Sequence, residues 1–214
     1  MILRLLICLA SAAACLLCHA EPAALYQNNF EQAAVGTVPD DFLVLDGAFA
    51  VKQDNTNKFL ELPGAPLDSF AVQFGPAETT NIAVSASIKG SAKGRRYPIF
   101  GVGLNGVTGY RLQVSPNKKL LELYQDQTLK NSSPFEWKPE QWLSLKLRVR
   151  ALKNGYKVEA KAWERGAREP ADWPVSLEAK ETPSAGRASV FASPFSGTPI
   201  QFDDLRVEKV DDQT

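Results

Sequence analysis

Apolar and polar residues alternate with a period of two along most of this chain, the spacing of strands that bury one face. In 82–89, Ile82, Val84, Ala86 and Ile88 share one parity. In 110–115, Tyr110, Leu112 and Val114 alternate with Arg111, Gln113 and Ser115. Over 142–150, Leu143, Leu145, Leu147 and Val149 alternate with Ser144, Lys146, Arg148 and Arg150. Over 156–163, Tyr156, Val158, Ala160 and Ala162 do the same. Further strands are predicted near 48–52, 58–62, 69–74, 97–104, 119–125, 187–192 and 199–209. Turn chemistry separates them at Asn154-Gly155, Asn105-Gly106 and Ser115-Pro116-Asn117. No amphipathic helix of useful length is evident, and no linker divides the chain. The pattern predicts an all-β fold: a two-sheet antiparallel β-sandwich of about ten or more strands, one domain over 21–214. The Pro-rich stretch 163–184 reads as the longest surface loop.

The first twenty residues break the pattern. "MILRLLICLASAAACLLCHA" has one early charge, Arg4, then an apolar run that ends at Cys18-His19-Ala20. This is the layout of a secretory signal peptide over 1–20. The run from Leu5 to Leu17 is short for a bilayer span, so no membrane span is expected in the mature chain. Ala12-Ala13-Ala14 before Cys15 gives a weaker lipoprotein match, without the usual Leu three before the Cys. The expected location is secreted or periplasmic.

Cleavage after Ala20 would remove every Cys, the only His and the only Met. That excludes Ser-His-Asp and Cys-His nucleophile systems and metal sites built on imidazole or thiolate. Carboxylates, Lys, Tyr and hydroxyls remain for chemistry, and hard oxygen ligation for metal, which favours calcium. The mature chain carries 23 basic against 24 acidic residues. That balance gives no support for a nucleic-acid partner.

Several stretches resemble the concanavalin A-like, laminin-G-like sandwich domains of bacterial secreted proteins. "EQWLSLKLRVRALKNGYKVEAKAW" (140–163) resembles their central hairpin, opened by a Trp. "AWERGAREPADWPVSLEA" (162–179) resembles their "W-x-x-G-x-x-E-P-x-x-W" connection. "AGRASVFASPFSGTPIQFDDLRV" (185–207) resembles the closing strand pair. "NNFEQAAVGTVPDDFLVLDGAFAV" resembles the opening segment, with Phe42 where Trp is commoner. The resemblance implies a jelly-roll, concanavalin A-like fold, whose members include lectins, glycan-binding appendages, glucanases and lyases. The "E-x-D-x-x-E" strand of the glucanases is absent; Glu122 to Asp126 has the wrong spacing.

Alternation assigns the polar faces. With Phe100, Val102, Leu112, Val114, Leu121 and Leu123 inward, Gly101, Gly103, Arg111, Gln113, Glu122 and Tyr124 point outward. Were these strands neighbours, a glycine floor flanked by planar polar groups and an aromatic ring would suit a sugar. The leading expectation is a non-catalytic carbohydrate-binding or cell-envelope module with a glycan or polysaccharide partner. The alternatives are a carboxylate-dependent glycoside hydrolase or polysaccharide lyase, and a structural protein–protein module. Trp137, Trp142, Trp163 and Trp173 could stack on saccharides, but their match to the family's structural pattern favours packing.

In "FDDLRV", Ile200 and Phe202 share one parity while Leu205 and Val207 share the other. One extra residue at Asp203-Asp204 is what a β-bulge supplies. Metal ligation is the second reading. In related jelly-roll sugar-binding modules such a strand and an N-terminal "F-E" segment share a structural calcium, which would make Glu31, Asp203 and Asp204 ligands here. Catalysis is third, since neighbours along a regular strand face opposite ways.

Overall fold

The computed structural model describes residues 24–64, 68–194 and 197–210. The segment read as a signal peptide, with Cys15, lies outside the described residues. The strands in chain order are β1 (Ala24–Asn28), β2 (Leu43–Asp46), β3 (Ala50–Asp54), β4 (Asn57–Leu62), β5 (Phe70–Glu78), β6 (Ile82–Gly90), β7 (Ile99–Leu104) and β8 (Tyr110–Ser115). A 3-10 turn at Pro116–Lys118 leads into β9 (Leu120–Gln125), β10 (Thr128–Pro134), β11 (Leu143–Leu152), β12 (Gly155–Glu164), β13 (Val175–Ala179), β14 (Gly186–Ser193) and β15 (Ile200–Lys209). No helix among the described residues is long and apolar enough to cross a membrane.

These strands make two antiparallel sheets. One runs β13-β12-β11-β6-β15-β4-β3, with β1 added on β15; the other runs β10-β9-β8-β7-β14-β5-β2. Their inner faces supply the core. Leu145, Leu147 and Val149 of β11 face it from the first sheet, and Leu112, Val114 and Leu123 from the second, all fully buried. The architecture is the all-β two-sheet sandwich predicted from the alternation.

Four strands were not anticipated: β1, β2, β10 and β13. β2, β10 and β13 are sheet edges, and β1 pairs only with β15. An edge strand has one neighbour and little buried face, so its sequence need not alternate. Every residue of β2 is exposed. The stretch 163–184 is therefore not one loop, because β13 inside it pairs with β12.

The closing strand carries the expected bulge. From Asp203 to Arg206 β15 advances three residues while its partner β6 moves two, from Ser87 to Ser85. Asp204 takes the extra place with φ of 49°, a left-handed conformation uncommon outside glycine. The bulge also marks a change of neighbour. Ile200–Phe202 pair with β4, whereas Leu205–Glu208 pair with β1. β15 thus forks, with Asp203-Asp204 at the crotch. Past β1, Phe30, Phe42, Tyr26 and Phe74 pack ring against ring at centroid separations of 5.5–6.3 Å and seal that end of the core.

Candidate functional site

The six residues expected to floor a sugar site are brought together on the outer face of the seven-stranded sheet. Gly103 lies opposite Arg111, and Gly101 opposite Gln113. Arg111 lies opposite Tyr124, and Gln113 opposite Glu122. The glycine surface itself is covered. On the next strand, Phe191 lies opposite Gly101 and Ser189 opposite Gly103. A Cβ at Gly101 would stand 2.7 Å from the Phe191 ring, and one at Gly103 would stand 2.5 Å from Ser189 Oγ. The missing side chains make room for the Leu112 carbonyl, a neighbouring ring and a hydroxyl.

The polar groups of this face are engaged with one another. Glu122 is buried and accepts a short hydrogen bond from Ser115 Oγ, one from Gln113 Nε2 at 3.2 Å, and a salt bridge from Lys118 Nζ at 2.9 Å. Burial pushes its pKa up, but the bonds from Ser115 and Lys118 outweigh that and hold it below the usual carboxylate range. The Arg111 guanidinium lies 5.4 Å from the Phe191 ring centroid and 5.8 Å from that of Tyr124, and donates to the Asp126 carbonyl.

Concave surface occurs instead at the fork of β15. A cleft of about 500 Å3 is lined by Gln27, Asn28, Asn29, Gln32, Asp204, Leu205 and Arg206. Four of the seven are side-chain amides, contributed by β1 and the turn that follows it. Asn28 Oδ1 accepts from Phe30 N at 2.8 Å and Asn29 Oδ1 from Glu31 N at 3.4 Å, which fixes the turn and the direction of both amides. The sequence signal was present in "QNNFEQ" (27–32), four amides within six residues. It gains meaning only once β1 is known to pair with β15.

At the crotch, both aspartates turn to one side. Arg165 Nη2 lies 3.0 Å from Asp203 Oδ2 and 2.8 Å from Asp204 Oδ2. Strand alternation would have sent the two carboxylates to opposite faces; the bulge cancels that rule. Asn57 Nδ2 also donates to Asp203 at 3.2 Å, and Ser87 Oγ to Asp204 at 3.0 Å. The Asp203 side chain is 2% exposed and that of Asp204 45%. Burial, then the charge of Asp204, raises the Asp203 pKa, with partial relief from the Asp204 N–H, Arg165 and Asn57. Arg165 itself, unnoticed in the sequence, is held on its other side by Trp142, whose ring centroid is 4.9 Å from the guanidinium carbon.

The calcium expected at Glu31, Asp203 and Asp204 does not suit this arrangement. Glu31 Oε1 accepts from Lys58 N at 2.9 Å, and Arg165 already sits on the two aspartates. Among the described residues no three His, Cys, Asp or Glu side chains come together as metal ligands, and a stable calcium site wants 6–8 oxygens.

The tryptophans divide. Trp137 is buried edge-on against Tyr97 and Phe100, and Trp142 packs on Phe59. Trp173 folds back over the outer face of the eight-stranded sheet, with its ring centroid 3.8 Å from the Arg148 guanidinium and 4.0 Å from Lys161 Nζ. Trp137, Trp142 and Trp163 also line a smaller cleft of about 170 Å3, beside Phe135 and Gln141.

No family model matches the chain, and no curated protein matches its sequence. Solved structures do match its shape. A Bacillus subtilis protein of unknown function with a galectin-like fold superposes with a TM-score of 0.62 at 10% identity, over 88% of this chain and 97% of that one. The fold is that of the concanavalin A-like jelly-roll sandwiches. The metal-free carbohydrate recognition domain of Emp46p has a TM-score of 0.59 at 9% identity, over 89% and 99% of the two chains. The Ca2+-bound exoplasmic/lumenal domain of VIP36 has a TM-score of 0.56 at 9% identity, over 89% and 91%. The VIP36 domain is also known metal-free and with Ca2+ and Man3GlcNAc. At these identities the likeness is one of fold.

Proposed function

We propose that this protein is an exported, non-catalytic carbohydrate-binding module, and that its saccharide sits in the amide-lined cleft at the fork of β15. The observation that carries the reading is the cleft's chemistry. Amides both donate and accept in a plane, so Gln27, Asn29 and Gln32 can each bridge adjacent sugar hydroxyls. Polar groups of this kind fix orientation in small-molecule sites. Solved domains of the same fold are described as carbohydrate recognition domains, which agrees with the reading.

The site moves from the face first expected. Gly101, Gly103, Arg111, Gln113, Glu122 and Tyr124 form a filled surface in which Glu122 has no access to a ligand. Export rests on the charged and apolar layout of residues 1–20. The hydrolase alternative would need two accessible carboxylates. Asp203 and Asp204 converge, but Asp203 is nearly fully buried and shares Arg165 with its neighbour, so it cannot reach a glycosidic oxygen.

A glycan-array screen of the exported protein tests the reading. Binding to at least one neutral saccharide, weakened tenfold or more by Asn29→Ala and by Gln32→Ala, is expected. Binding that ignores both substitutions but falls with Arg111→Ala or Tyr124→Ala would return the site to the other sheet.

A further inference from the structure

Arg165 links two concave surfaces. On one side it binds Asp204, a wall of the amide cleft. On the other it stacks on Trp142, a wall of the tryptophan cleft. Trp163 continues that second surface on the outer face of the same sheet, since it pairs with Ser144, which pairs in turn with Ser87, the partner of Asp203. Amides, guanidinium and half-buried indoles therefore follow one another across a single face.

We propose that the two clefts form one extended site for a linear neutral oligosaccharide, with amides at one end, tryptophan at the other and Arg165 between. This rests on the carbohydrate reading of the amide cleft and adds the length and polarity of the ligand. A sugar chain offers both chemistries in alternation: hydroxyl rims for amides and guanidinium, and C–H faces for indole rings. Arg165 is placed for the middle position. Two carboxylates and an indole hold it still, its side chain is 30% exposed, and only its Nη2 is used in hydrogen bonds to the described residues. A guanidinium carries five N–H donors, so donors remain for ligand hydroxyls without loss of the aspartate contacts. Fixing these groups before binding lowers the entropic cost of recognition.

Charge selects a neutral chain. The linings mix both signs with no excess of cations, Asp204 and Arg206 in the amide cleft and Glu136, Glu164 and Lys138 in the tryptophan cleft, and Arg165 between them faces Asp203 and Asp204. An acidic glycan would meet Asp204, Glu136 and Glu164 along that path.

The test is calorimetric titration of the full chain with cello-, malto-, xylo- and arabino-oligosaccharides of one to six residues. In the series that binds, affinity should rise about tenfold or more as the chain lengthens to about four residues, a gain near 1.4 kcal/mol. Trp163→Ala should remove that gain, and Gln141→Ala, an exposed rim position of the tryptophan cleft, should reduce it without a folding risk. Asn29→Ala should weaken every length. Affinity that does not grow with length, or growth that survives both tryptophan-cleft substitutions, overturns the extended site while leaving the amide cleft in place. Binding of none of the four series overturns both. Tighter binding of a uronic-acid chain than of any neutral one overturns the neutral assignment.

Discussion

Replacing Arg165 with Ala strips from two carboxylates, one of them buried, the only cation they meet among the described residues. Breaking a buried ion pair by removing one partner costs about 3–5 kcal/mol. Arg165 and Asp204 are partly exposed, and solvent screens their share. About 2–3 kcal/mol is therefore expected at pH 7, chiefly from Asp203. For a domain of this size 1 kcal/mol moves Tm by about 2–4 °C, so Arg165→Ala should melt about 4–12 °C lower. The deficit should depend on pH. Burial and Asp204 already raise the Asp203 pKa in the folded protein. A carboxyl with a raised folded pKa stabilises the fold below its unfolded pKa, and that contribution is lost as pH rises through the folded value. Without Arg165 the folded pKa climbs further, so the deficit is full at pH 7 and shrinks as pH falls towards 4. Asp203→Asn in the Arg165→Ala background should recover about 1 kcal/mol or more at pH 7 by removing the stranded charge. Denaturant unfolding of wild type, Arg165→Ala and the double variant at several pH values measures all of this. A deficit below about 1 kcal/mol at pH 7, or one equal at pH 4.5 and 7, would refute the argument.

Glu122→Gln should destabilise by about 1.5–3 kcal/mol at pH 7, the worth of charge-assisted hydrogen bonds. Because the Glu122 pKa is lowered, its contribution is present above the unfolded carboxylate value and lost as pH falls through the folded one; wild type and variant should converge in acid melts. Gly101→Ala places a Cβ 1.9 Å from the Leu112 carbonyl oxygen and 2.7 Å from Phe191. It should lower stability by about 1–3 kcal/mol as an overpacking change, with a loss unrelated to saccharide binding. Calcium and chelator should give the same melting midpoint, since Arg165 occupies the aspartates; a rise of several degrees with calcium would show a site elsewhere.

The alternation of Leu143, Leu145, Leu147 and Val149 made β11 legible because β6 and β12 flank it and one of its faces is fully buried. Leu43-Val44-Leu45 read as nothing in particular, because β2 is an edge and hides neither face. The parity switch between Phe202 and Leu205 located the bulge at Asp203-Asp204. Its consequence was not legible, since a rule for regular strands cannot say that Asp203 and Asp204 will face the same way. Arg165 was invisible for a related reason. It lies 38 residues before Asp203, and only the stacking of β12, β11, β6 and β15 brings them together. The glycines of β7 were read as the floor of a sugar site, but the space above Gly101 is taken by the Leu112 carbonyl of the next strand and by Phe191 of β14, seven strands further along the chain and beyond the reach of local pattern. The amides at 27–32 were plain in the sequence and went unread, because their significance depends on β1 lying against β15.

The central claim is that saccharide occupies the fork of β15 on the eight-stranded sheet. Chemical-shift mapping during titration with the tightest-binding neutral oligosaccharide tests it most directly. The account predicts that the largest changes fall on the side-chain amides of Gln27, Asn28, Asn29 and Gln32 and on the backbone of Asp204–Arg206. Changes centred on Arg111, Gln113 and Tyr124, with residues 27–32 silent, would contradict it.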